Sequence, residues 1–185
     1  MDQDFYVKRL DASTWADFAA LVERHNGVWG GCWCLEFHPE GAERGAHRRS
    51  RKEERVRSGT AHAALVYDGN TCVGWCQFGS PEELPQIKHR RAYHAGLDRL
   101  PDWRITCFFV DKAYRKKGVS SVALAGAPKE IPRLGGGIVE SYPEDPSGRS
   151  VSPSFLYSDL LSPLKRGSFL RQFAVVDIAY RNRLR

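Results

Sequence analysis

The sequence predicts a single domain of the α/β or α+β class, in which helices cover a central sheet. A chain of 185 residues suits one domain with a sizeable core, and neither an internal repeat nor a low-complexity linker divides it. Strand-type and helix-type segments alternate along the chain, which is typical of a sheet covered by helices. The composition, 42% hydrophobic and 27% charged, is that of an ordinary globular protein, so we take residues 1–185 as one domain.

The first elements are a strand and an amphipathic helix. Alternation over residues 5–10 predicts the strand. In the helix that follows, Asp11 or Ser13 can serve as the cap, and Asn26-Gly27 supplies a stop. The apolar face of this helix consists of Trp15, Phe18, Leu21 and Val22.

A loop and a charged helix come next. Glycines and aromatic residues over 28–41 predict a loop, whose Trp29, Trp33 and Phe37 form either the wall of a substrate pocket or an aromatic core beneath the loop. The charged run 43–59 predicts a helix that faces solvent and is supported by i,i+4 ion pairs.

The remaining elements are strands joined by longer connections. Residues 61–79 read as a hairpin with Asp68-Gly69-Asn70 at its turn. A helix of small residues begins near Gly118, and we expect Pro128 and Pro132 to kink it or to stop it near Ala127. The other predicted segments are a polar connection over 80–102, strands over 103–111 and 138–145, a helix over 152–167, and one or two closing strands over 168–185.

Charge and cysteine content narrow the function classes. A net charge of +6 favours anionic partners without choosing among them. Five cysteines, an odd number, and the lack of a secretory leader at the start predict reduced thiols and a cytoplasmic location. No apolar run approaches the roughly 20 residues that span a bilayer, so we expect no membrane partner. The pair Cys32-x-Cys34 has the wrong spacing for a zinc site, and the pair Cys72-x3-Cys76 falls within a predicted strand with both thiols on one face. We therefore expect no metal, and Cys107 reads as a buried core thiol.

The segment 107–121, CFFVDKAYRKKGVSS, concentrates positive charge where a buried strand ends and a helix begins. The first amides of a helix have no internal partners, and the helix macrodipole adds positive potential there. A strand, a basic turn with a glycine and a helix N-terminus together favour phosphate binding, although a solvated basic turn is the alternative. The spacing matches neither a Walker loop nor a dinucleotide fingerprint.

This turn resembles the acyl-CoA pyrophosphate loop of the GNAT superfamily of N-acetyltransferases. The family carries Arg/Gln-x-x-Gly-x-Gly/Ala between its fourth strand and third helix, and residues 115–120 read RKKGVS, with Ser120 where the family has glycine or alanine. The order of the elements resembles the family over nearly the whole chain. The resemblance implies a mixed, mostly antiparallel central sheet of six to seven strands flanked by about four helices.

The resemblance also implies a chemistry: transfer of an acetyl group from acetyl-CoA to a primary amine of a small molecule or peptide by direct attack. Acetyl-CoA would be the co-substrate, and no metal would be needed. Phe109 and Val110 would carry the pantetheine arm along their backbone. The residues implied to hold the pyrophosphate are Arg115, Lys116, Lys117, Gly118, Val119 and Ser120.

The acid and base of this reaction are less defined. Glu140 is the candidate general base, on a strand that would diverge from the fourth strand, and its alternative is an exposed strand residue. Where the family has a catalytic tyrosine this sequence has Leu164, and Tyr157 lies two helical turns earlier and could substitute. These departures leave open a degenerate, non-catalytic acyl-CoA-binding protein.

Two further expectations concern partners. The basic run 47–57 could contact nucleic-acid phosphates, but its interleaved Glu53 and Glu54 and its lack of stacking aromatics disfavour that function. The closing strands offer an edge with which a second copy could pair, so a homodimer is one expected state.

Overall fold

The computed structural model describes residues 4–87, 94 and 99–141, together with the backbone of 174–178. Six strands form one sheet, in the order β1-β2-β3-β4-β5-β6. The strands are β1 (Tyr6–Arg9), β2 (His62–Asp68), β3 (Thr71–Gly79), β4 (Trp103–Val110), β5 (Gly137–Ser141) and β6 (Ala174–Ile178). The α-helices of the described residues are α1 (Trp15–Arg24), α2 (Arg48–Arg57) and α3 (Val119–Glu130).

The predicted mixed, mostly antiparallel sheet is confirmed. Neighbouring strands are antiparallel except β4 and β5, which are parallel. Six to seven strands and about four helices were predicted. In the described part of the chain, five strands carry described side chains, a sixth is described by its backbone, and the α-helices number three, fewer than predicted. The helix predicted over 152–167 lies outside the described residues.

The first helix follows its sequence pattern. All of the residues predicted for its apolar face are buried. The cap differs from the prediction, because Thr14 occupies that position without capping the helix through its side chain. Instead, the Asp11 carboxylate accepts the amide of Ser13 at 2.8 Å, and Thr14 Oγ1 accepts the amide of Asp11 at 2.9 Å. The chain leaves the helix through Gly27, whose φ of 76° is in the region that favours glycine.

The sheet separates two apolar clusters. The predicted hairpin is confirmed, with β2 and β3 joined by Gly69 and Asn70. On one face, residues of α1, the 28–35 loop and Val56 of α2 pack against β2, β3 and β4. On the other face, α3 packs against alternate residues of the same strands and against Val139 of β5. Because alternate residues of a strand point to opposite faces, each central strand contributes to both clusters.

Two details of the helices correct the sequence predictions. The third helix does not stop near Ala127 but continues to Glu130, followed by a 3-10 turn over Ile131–Leu134 that contains Pro132. Pro128 lacks only its own amide, and the amide of Ile131 still donates to the Ala127 carbonyl.

The second helix was predicted to face solvent, and that is wrong on one side. Its predicted ion pairs form, with Glu53 contacting Arg49 at 3.2 Å and Arg57 at 2.7 Å. On the opposite side, Arg48, Lys52 and Val56 share one face by their i,i+4,i+8 spacing and are buried. The sequence prediction failed because it treated every cation as solvated.

Within the described ranges, no helix has the length and apolar character needed to span a membrane. The same residues contain no group of three or more His, Cys, Asp or Glu side chains that could hold a metal ion. The five cysteines are free thiols.

Candidate functional site

A cleft begins where β4 and β5 cease to pair. Their parallel pairing covers only Trp103 with Val139, Arg104 with Glu140 and Ile105 with Ser141. Strand β4 continues to Val110, whereas β5 ends at Ser141 in the described part of the chain. The described pairing of β4 beyond Ile105 is with β3. An extended ligand could bind where β4 diverges from β5.

A buried ion pair closes the lower end of this cleft. Arg104 Nε lies 2.6 Å from Glu140 Oε1, and the two side chains are 3% and 2% exposed. Arg104 Nη1 also donates to the Leu84 carbonyl at 2.9 Å. Glu140 is therefore not the exposed strand residue that was its alternative, and its carboxylate is already bound by a guanidinium. Its predicted role as general base stays a prediction.

Phe109 and Val110 lie at the upper end of the cleft edge. The Phe109 ring stacks on Trp75, with centroids 4.7 Å apart, and makes edge contacts with His25 at 4.9 Å and Trp29 at 6.0 Å. Val110 points to the opposite face, into the cluster beneath α3. Because both side chains are held by packing, their backbone is fixed at the edge of the sheet.

Asp111 anchors the turn that follows β4. Its Oδ1 accepts the amide of Ala113 at 3.0 Å, which caps the 3-10 turn Lys112–Tyr114. Its Oδ2 lies 3.2 Å from His25 Nε2 and 3.4 Å from Arg24 Nη2. Burial raises the pKa of Asp111, but the Ala113 amide and the neighbouring His25 and Arg24 outweigh it and hold the pKa below its usual value. The acidic residue in the motif is therefore structural.

The basic residues of the turn are exposed, and a left-handed glycine starts the helix. Arg115, Lys116 and Lys117 are exposed, with Lys117 Nζ 4.9 Å from the centre of the Tyr114 ring. Gly118 caps α3 with φ 82° and no side-chain hydrogen bond. The first amides of α3 have no partners within the helix, and they follow directly after the basic residues of the turn. A Cβ built on Gly118 meets nothing within 4 Å, which leaves room for a ligand against the backbone.

Gly74 explains why α3 starts so close to the sheet. It pairs with Val110, and a Cβ at this position would lie 2.8 Å from the Phe109 carbonyl oxygen and 2.8 Å from Val119 Cγ1. The absent side chain lets the first turn of α3 rest on β3. The helix N-terminus is thereby held beside the end of β4.

The structure brings most of the predicted site residues together. Phe109, Val110 and the turn 115–120 are contiguous at the end of β4, whereas Glu140 pairs with Arg104 at its beginning. At about 3.3 Å per residue, the ion pair and the turn are roughly 20 Å apart along the strand. This arrangement fits a long, thin ligand with an anionic group at one end. Tyr157 and Leu164 lie outside the described residues.

A buried polar cluster was missed by sequence reasoning. Lys52 is 1% exposed, and its Nζ donates to Gln77 Oε1 at 2.9 Å, to the Cys34 carbonyl at 3.3 Å and to His38 Nε2 at 3.2 Å. Gln77 Nε2 extends the cluster to Thr106 Oγ1 of β4 at 3.2 Å. Burial, Lys52 and then Arg55 lower the pKa of His38 to about 2, so His38 is a neutral acceptor. The spacing of Arg48, Lys52 and Val56 was the signal available in the sequence.

The aromatic loop divides between core and surface. Trp33 is buried in the cluster under α1, as its core interpretation predicted, while Trp29 is 44% exposed beside Phe109. Val28, Trp29, Trp33 and Cys34 all have positive φ between 46° and 56°. Such angles are uncommon for residues other than glycine and indicate a strained loop.

Comparisons with known proteins leave the function to be argued from the chain itself. No family model matches the sequence, and no curated protein matches it. Among solved structures, the chain is similar to an aminoglycoside N-acetyltransferase in complex with CoA, at 15% identity over 91% of this chain and 94% of that one, with a TM-score of 0.47. It is similar to a ribosomal-protein-alanine N-acetyltransferase from Brucella melitensis biovar Abortus 2308, at 14% identity over 70% and 73%, with a TM-score of 0.44.

A third similar structure is an N-acetyltransferase from Staphylococcus aureus Mu50, at 14% identity over 75% of this chain and 73% of that one, with a TM-score of 0.44. Likenesses at these identities and TM-scores carry no argument about substrate or mechanism.

Proposed function

We propose that this protein is a GNAT-type N-acetyltransferase that moves the acetyl group of acetyl-CoA to a primary amine by direct attack. One observation carries the proposal: a basic turn and an uncapped helix start, opened by left-handed Gly118, stand at the end of a strand that continues beyond its described pairing with β5. The anionic end and the extended arm of acetyl-CoA match these two features in order.

The pyrophosphate would lie against the turn. The amides of Gly118, Val119 and Ser120 supply hydrogen bonds that no helical carbonyl takes, and the macrodipole adds attraction for an anion. Arg115, Lys116 and Lys117 add positive charge at the surface. Ser120 in place of glycine or alanine is half-buried and small, so it leaves the approach open.

The pantetheine arm would run along the part of β4 that continues beyond its described pairing with β5, past Val110 and Phe109 toward Thr106. A strand edge offers amide donors and carbonyl acceptors to an extended chain, as in strand addition. One amide of this edge would polarise the thioester carbonyl, because a donor fixed in a dry site stabilises the charge that develops there. The chain's part in the reaction is thus largely positioning.

Proton removal from the ammonium is assigned to Glu140, directly or through water. Its position at the lower end of the cleft suits a group that meets the acceptor. The contact with Arg104 fixes the Glu140 carboxylate in place, and the guanidinium also offsets the negative charge of that carboxylate. Tyr157 or water would return a proton to the leaving thiolate. The acceptor is a small molecule or a peptide, and five free thiols fit a cytoplasmic location.

Acetyl-CoA binding by calorimetry tests the proposal on the wild type and on Gly118→Glu. Glutamate would place charge and bulk where the pyrophosphate lies, so we expect at least a hundredfold loss of affinity, about 2.7 kcal/mol. Gly135→Glu is the matched control, because Gly135 also has positive φ, 110°, and open surroundings, at the end of the 3-10 turn after α3. Equal losses in both variants, or no binding by the folded wild type, would overturn the proposal.

A non-catalytic acyl-CoA-binding protein is the second candidate. The observation that favours it is the burial of Glu140 in an ion pair with Arg104, which occupies the candidate base. The release of free CoA with a panel of primary amines separates the two functions. Saturable, amine-dependent release supports the enzyme, while tight binding with no release beyond slow hydrolysis supports the binding protein. If Glu140 is the base, Glu140→Gln reduces release and leaves acetyl-CoA affinity unchanged.

A further inference from the structure

Strand β4 contains one extra residue at the point where it leaves β5. On the β3 side, Gln77 pairs with Cys107 and Phe78 pairs with Ile105, so Thr106 has no partner of its own on β3. Such an extra residue is a β-bulge, a feature that often lies next to active sites and redirects a side chain. The described pairing of β4 with β5 ends at Ile105. Thr106 is therefore the first residue of β4 beyond that pairing.

The Gln77 side chain holds the Thr106 oxygen as a hydrogen-bond acceptor. Lys52 Nζ donates to Gln77 Oε1 at 2.9 Å and to the Cys34 carbonyl at 3.3 Å. Because the amide oxygen of Gln77 is bound by Lys52, Gln77 Nε2 is the atom that faces Thr106, and it donates to Thr106 Oγ1 at 3.2 Å. All three side chains in this series, Lys52, Gln77 and Thr106, are buried.

The proton of the Thr106 hydroxyl is not used by the described part of the protein. A hydroxyl has one donor, and Thr106 Oγ1 is the acceptor in its contact with Gln77. Within residues 4–87, 94 and 99–141, this oxygen forms no second hydrogen bond. Buried donors normally have an acceptor, so the Thr106 proton calls for an explanation.

Thr14 shows how this protein binds a buried hydroxyl that has only a structural role. Thr14 is 7% exposed, and its Oγ1 accepts the Asp11 amide at 2.9 Å and donates to the Arg9 carbonyl at 2.8 Å. Both capacities of that hydroxyl are used within the protein. Thr106 is 5% exposed, and only its acceptor capacity is used in the described structure, which leaves its donor for a ligand.

We propose that the Thr106 hydroxyl is a catalytic hydrogen-bond donor to the carbonyl oxygen of the bound acetyl thioester, and that Gln77 and Lys52 position it. Because the partner is the thioester of acetyl-CoA, this role rests on the proposed acetyl transfer. The thioester oxygen fits the site because it only accepts hydrogen bonds and gains negative charge during the reaction. Thr106 also lies where the extended arm of the ligand would end.

The hydroxyl acts without giving up its proton. The acceptor amine attacks the carbonyl carbon, a C–N bond forms, and the π electrons of the carbonyl move to its oxygen. Thr106 and a strand amide stabilise that negative oxygen, and a fixed donor in a dry site does so without reorganisation. When the carbonyl forms again, the C–S bond breaks and its electron pair leaves with the sulfur. The amine loses one proton to the base and the thiolate gains one, so the products are an amide and CoA.

Infrared spectroscopy of bound acetyl-CoA, with an isotope label on the thioester carbonyl carbon, tests this hydrogen bond without relying on turnover. A hydrogen bond polarises the carbonyl and lowers its stretching frequency. We expect a lower frequency in the wild type and in Thr106→Ser than in Thr106→Val, which keeps the shape of the side chain and lacks the hydroxyl. Thr14→Val is the matched control, since it removes a similarly buried hydroxyl and should leave the frequency unchanged. Equal frequencies in the wild type and Thr106→Val would overturn the role of Thr106.

Steady-state kinetics test the catalytic part of the proposal. Removal of one donor to a developing oxyanion typically slows turnover, so we expect kcat of Thr106→Val to fall roughly a hundredfold. Calorimetric affinity for acetyl-CoA should change less than about threefold, because the donor acts mainly in the transition state. Thr106→Ser should keep most of the rate. An equal fall of kcat in Thr14→Val would show that lost stability is the cause, and would refute the catalytic role.

Gln77→Glu tests the positioning, because it reverses one hydrogen bond and leaves Thr106 in place. A carboxylate only accepts, so the Thr106 hydroxyl would donate to it and turn its proton away from the thioester. The new carboxylate would also face Lys52, which favours folding, and thermal unfolding checks this. We expect the same loss of rate and the same rise in carbonyl frequency as in Thr106→Val. Wild-type values in Gln77→Glu would refute the positioning.

The outcomes separate the role of Thr106 from acetyl transfer itself. Binding of acetyl-CoA with the same carbonyl frequency in the wild type and Thr106→Val overturns the role of Thr106 alone. No binding by the folded wild type overturns both, because the hydroxyl then has no thioester to contact. If acetyl-CoA binds and no amine is acetylated, the catalytic role is refuted, and the infrared comparison still decides whether Thr106 contacts the thioester.

Discussion

Two sets of cations in this protein look alike in the sequence and differ completely in the structure. Arg48 and Lys52, on α2, are buried, and their donors are taken by carbonyls, a side-chain amide and a histidine. Arg115, Lys116 and Lys117, at the start of α3, are exposed, and no carboxylate of the described residues pairs with them. The first set is occupied by the protein itself, whereas the second is available to a ligand.

The difference teaches that a basic segment indicates an anion site only where its donors remain free. On α2 even the exposed face is neutralised, since Glu53 contacts two arginines. At the turn, exposed cations with no carboxylate partner among the described residues coincide with amides that lack a partner within the helix and with an open glycine. The net charge of +6 is therefore a poor guide to the ligand. Whether each local hydrogen-bond donor already has a partner in the protein is a better guide.

Lys52→Met should have the largest effect, on stability. Methionine keeps the apolar stem but leaves three buried acceptors without a donor, and we expect the free energy of unfolding to fall by about 3 kcal/mol. Lys116→Met, in the exposed set, should change it by less than about 0.5 kcal/mol. Urea unfolding of both variants measures the contrast. Similar losses in the two would remove the distinction between the sets.

Glu140→Gln tests Arg104, another buried cation whose donors are bound by the protein itself. The substitution removes the charge that compensates a buried guanidinium but keeps an acceptor oxygen, so we expect a loss of about 2 kcal/mol. Thermal unfolding measures it. Glu130→Gln is the control, because its partner Arg133 is exposed and their contact is worth little. An unchanged melting temperature for Glu140→Gln would contradict the structural role of the pair.

Gly74→Ala should weaken ligand binding at the start of α3 without changing the charges of Arg115, Lys116 and Lys117. The added Cβ would meet the Phe109 carbonyl and Val119 at 2.8 Å, forcing α3 away from β3. We expect a loss of about 1–2 kcal/mol in stability and a weaker affinity for acetyl-CoA. Unfolding and calorimetry on the same sample provide both values. A destabilised variant with unchanged affinity for acetyl-CoA would show that the start of α3 is not part of the ligand site.

Arg115→Gln should have the smallest effect. One exposed cation contributes modestly to the binding of an anion, so we expect acetyl-CoA affinity to fall by a factor of about five, close to 1 kcal/mol. Arg51→Gln, on the exposed face of α2, should leave the affinity unchanged. Calorimetry at low and at physiological salt checks both, because a direct charge contact weakens with ionic strength. An equal loss of acetyl-CoA affinity in Arg51→Gln would indicate that the overall positive charge of the protein, rather than a specific site, attracts the ligand.

Local pattern was sufficient to predict the elements that position the turn. The apolar face of α1, the hairpin turn at Gly69, strand β4 and the start of α3 follow from periodicity and turn residues. The close approach at Gly74 could not be predicted, because it depends on which strand the helix N-terminus meets.

The buried polar cluster lay beyond sequence reasoning for a related reason. Lys52 and His38 are polar residues whose burial depends on partners far along the chain, above all Gln77 on β3. Helix α3 extends beyond Ala127 for a local reason. One proline near a helix end removes a single hydrogen bond, while packing stabilises the other turns of the helix. The role of Glu140 also depended on a partner, Arg104, on another strand.

The most direct measurement is calorimetric titration of the wild type with acetyl-CoA and with S-acetylpantetheine, which carries the same thioester and arm but no pyrophosphate. The free turn predicts that acetyl-CoA binds at least about a hundredfold more tightly, because the amides and cations at Gly118 act on the anion alone. Equal affinities, or no binding of either by the folded protein, would contradict the assignment of the turn as the anion site.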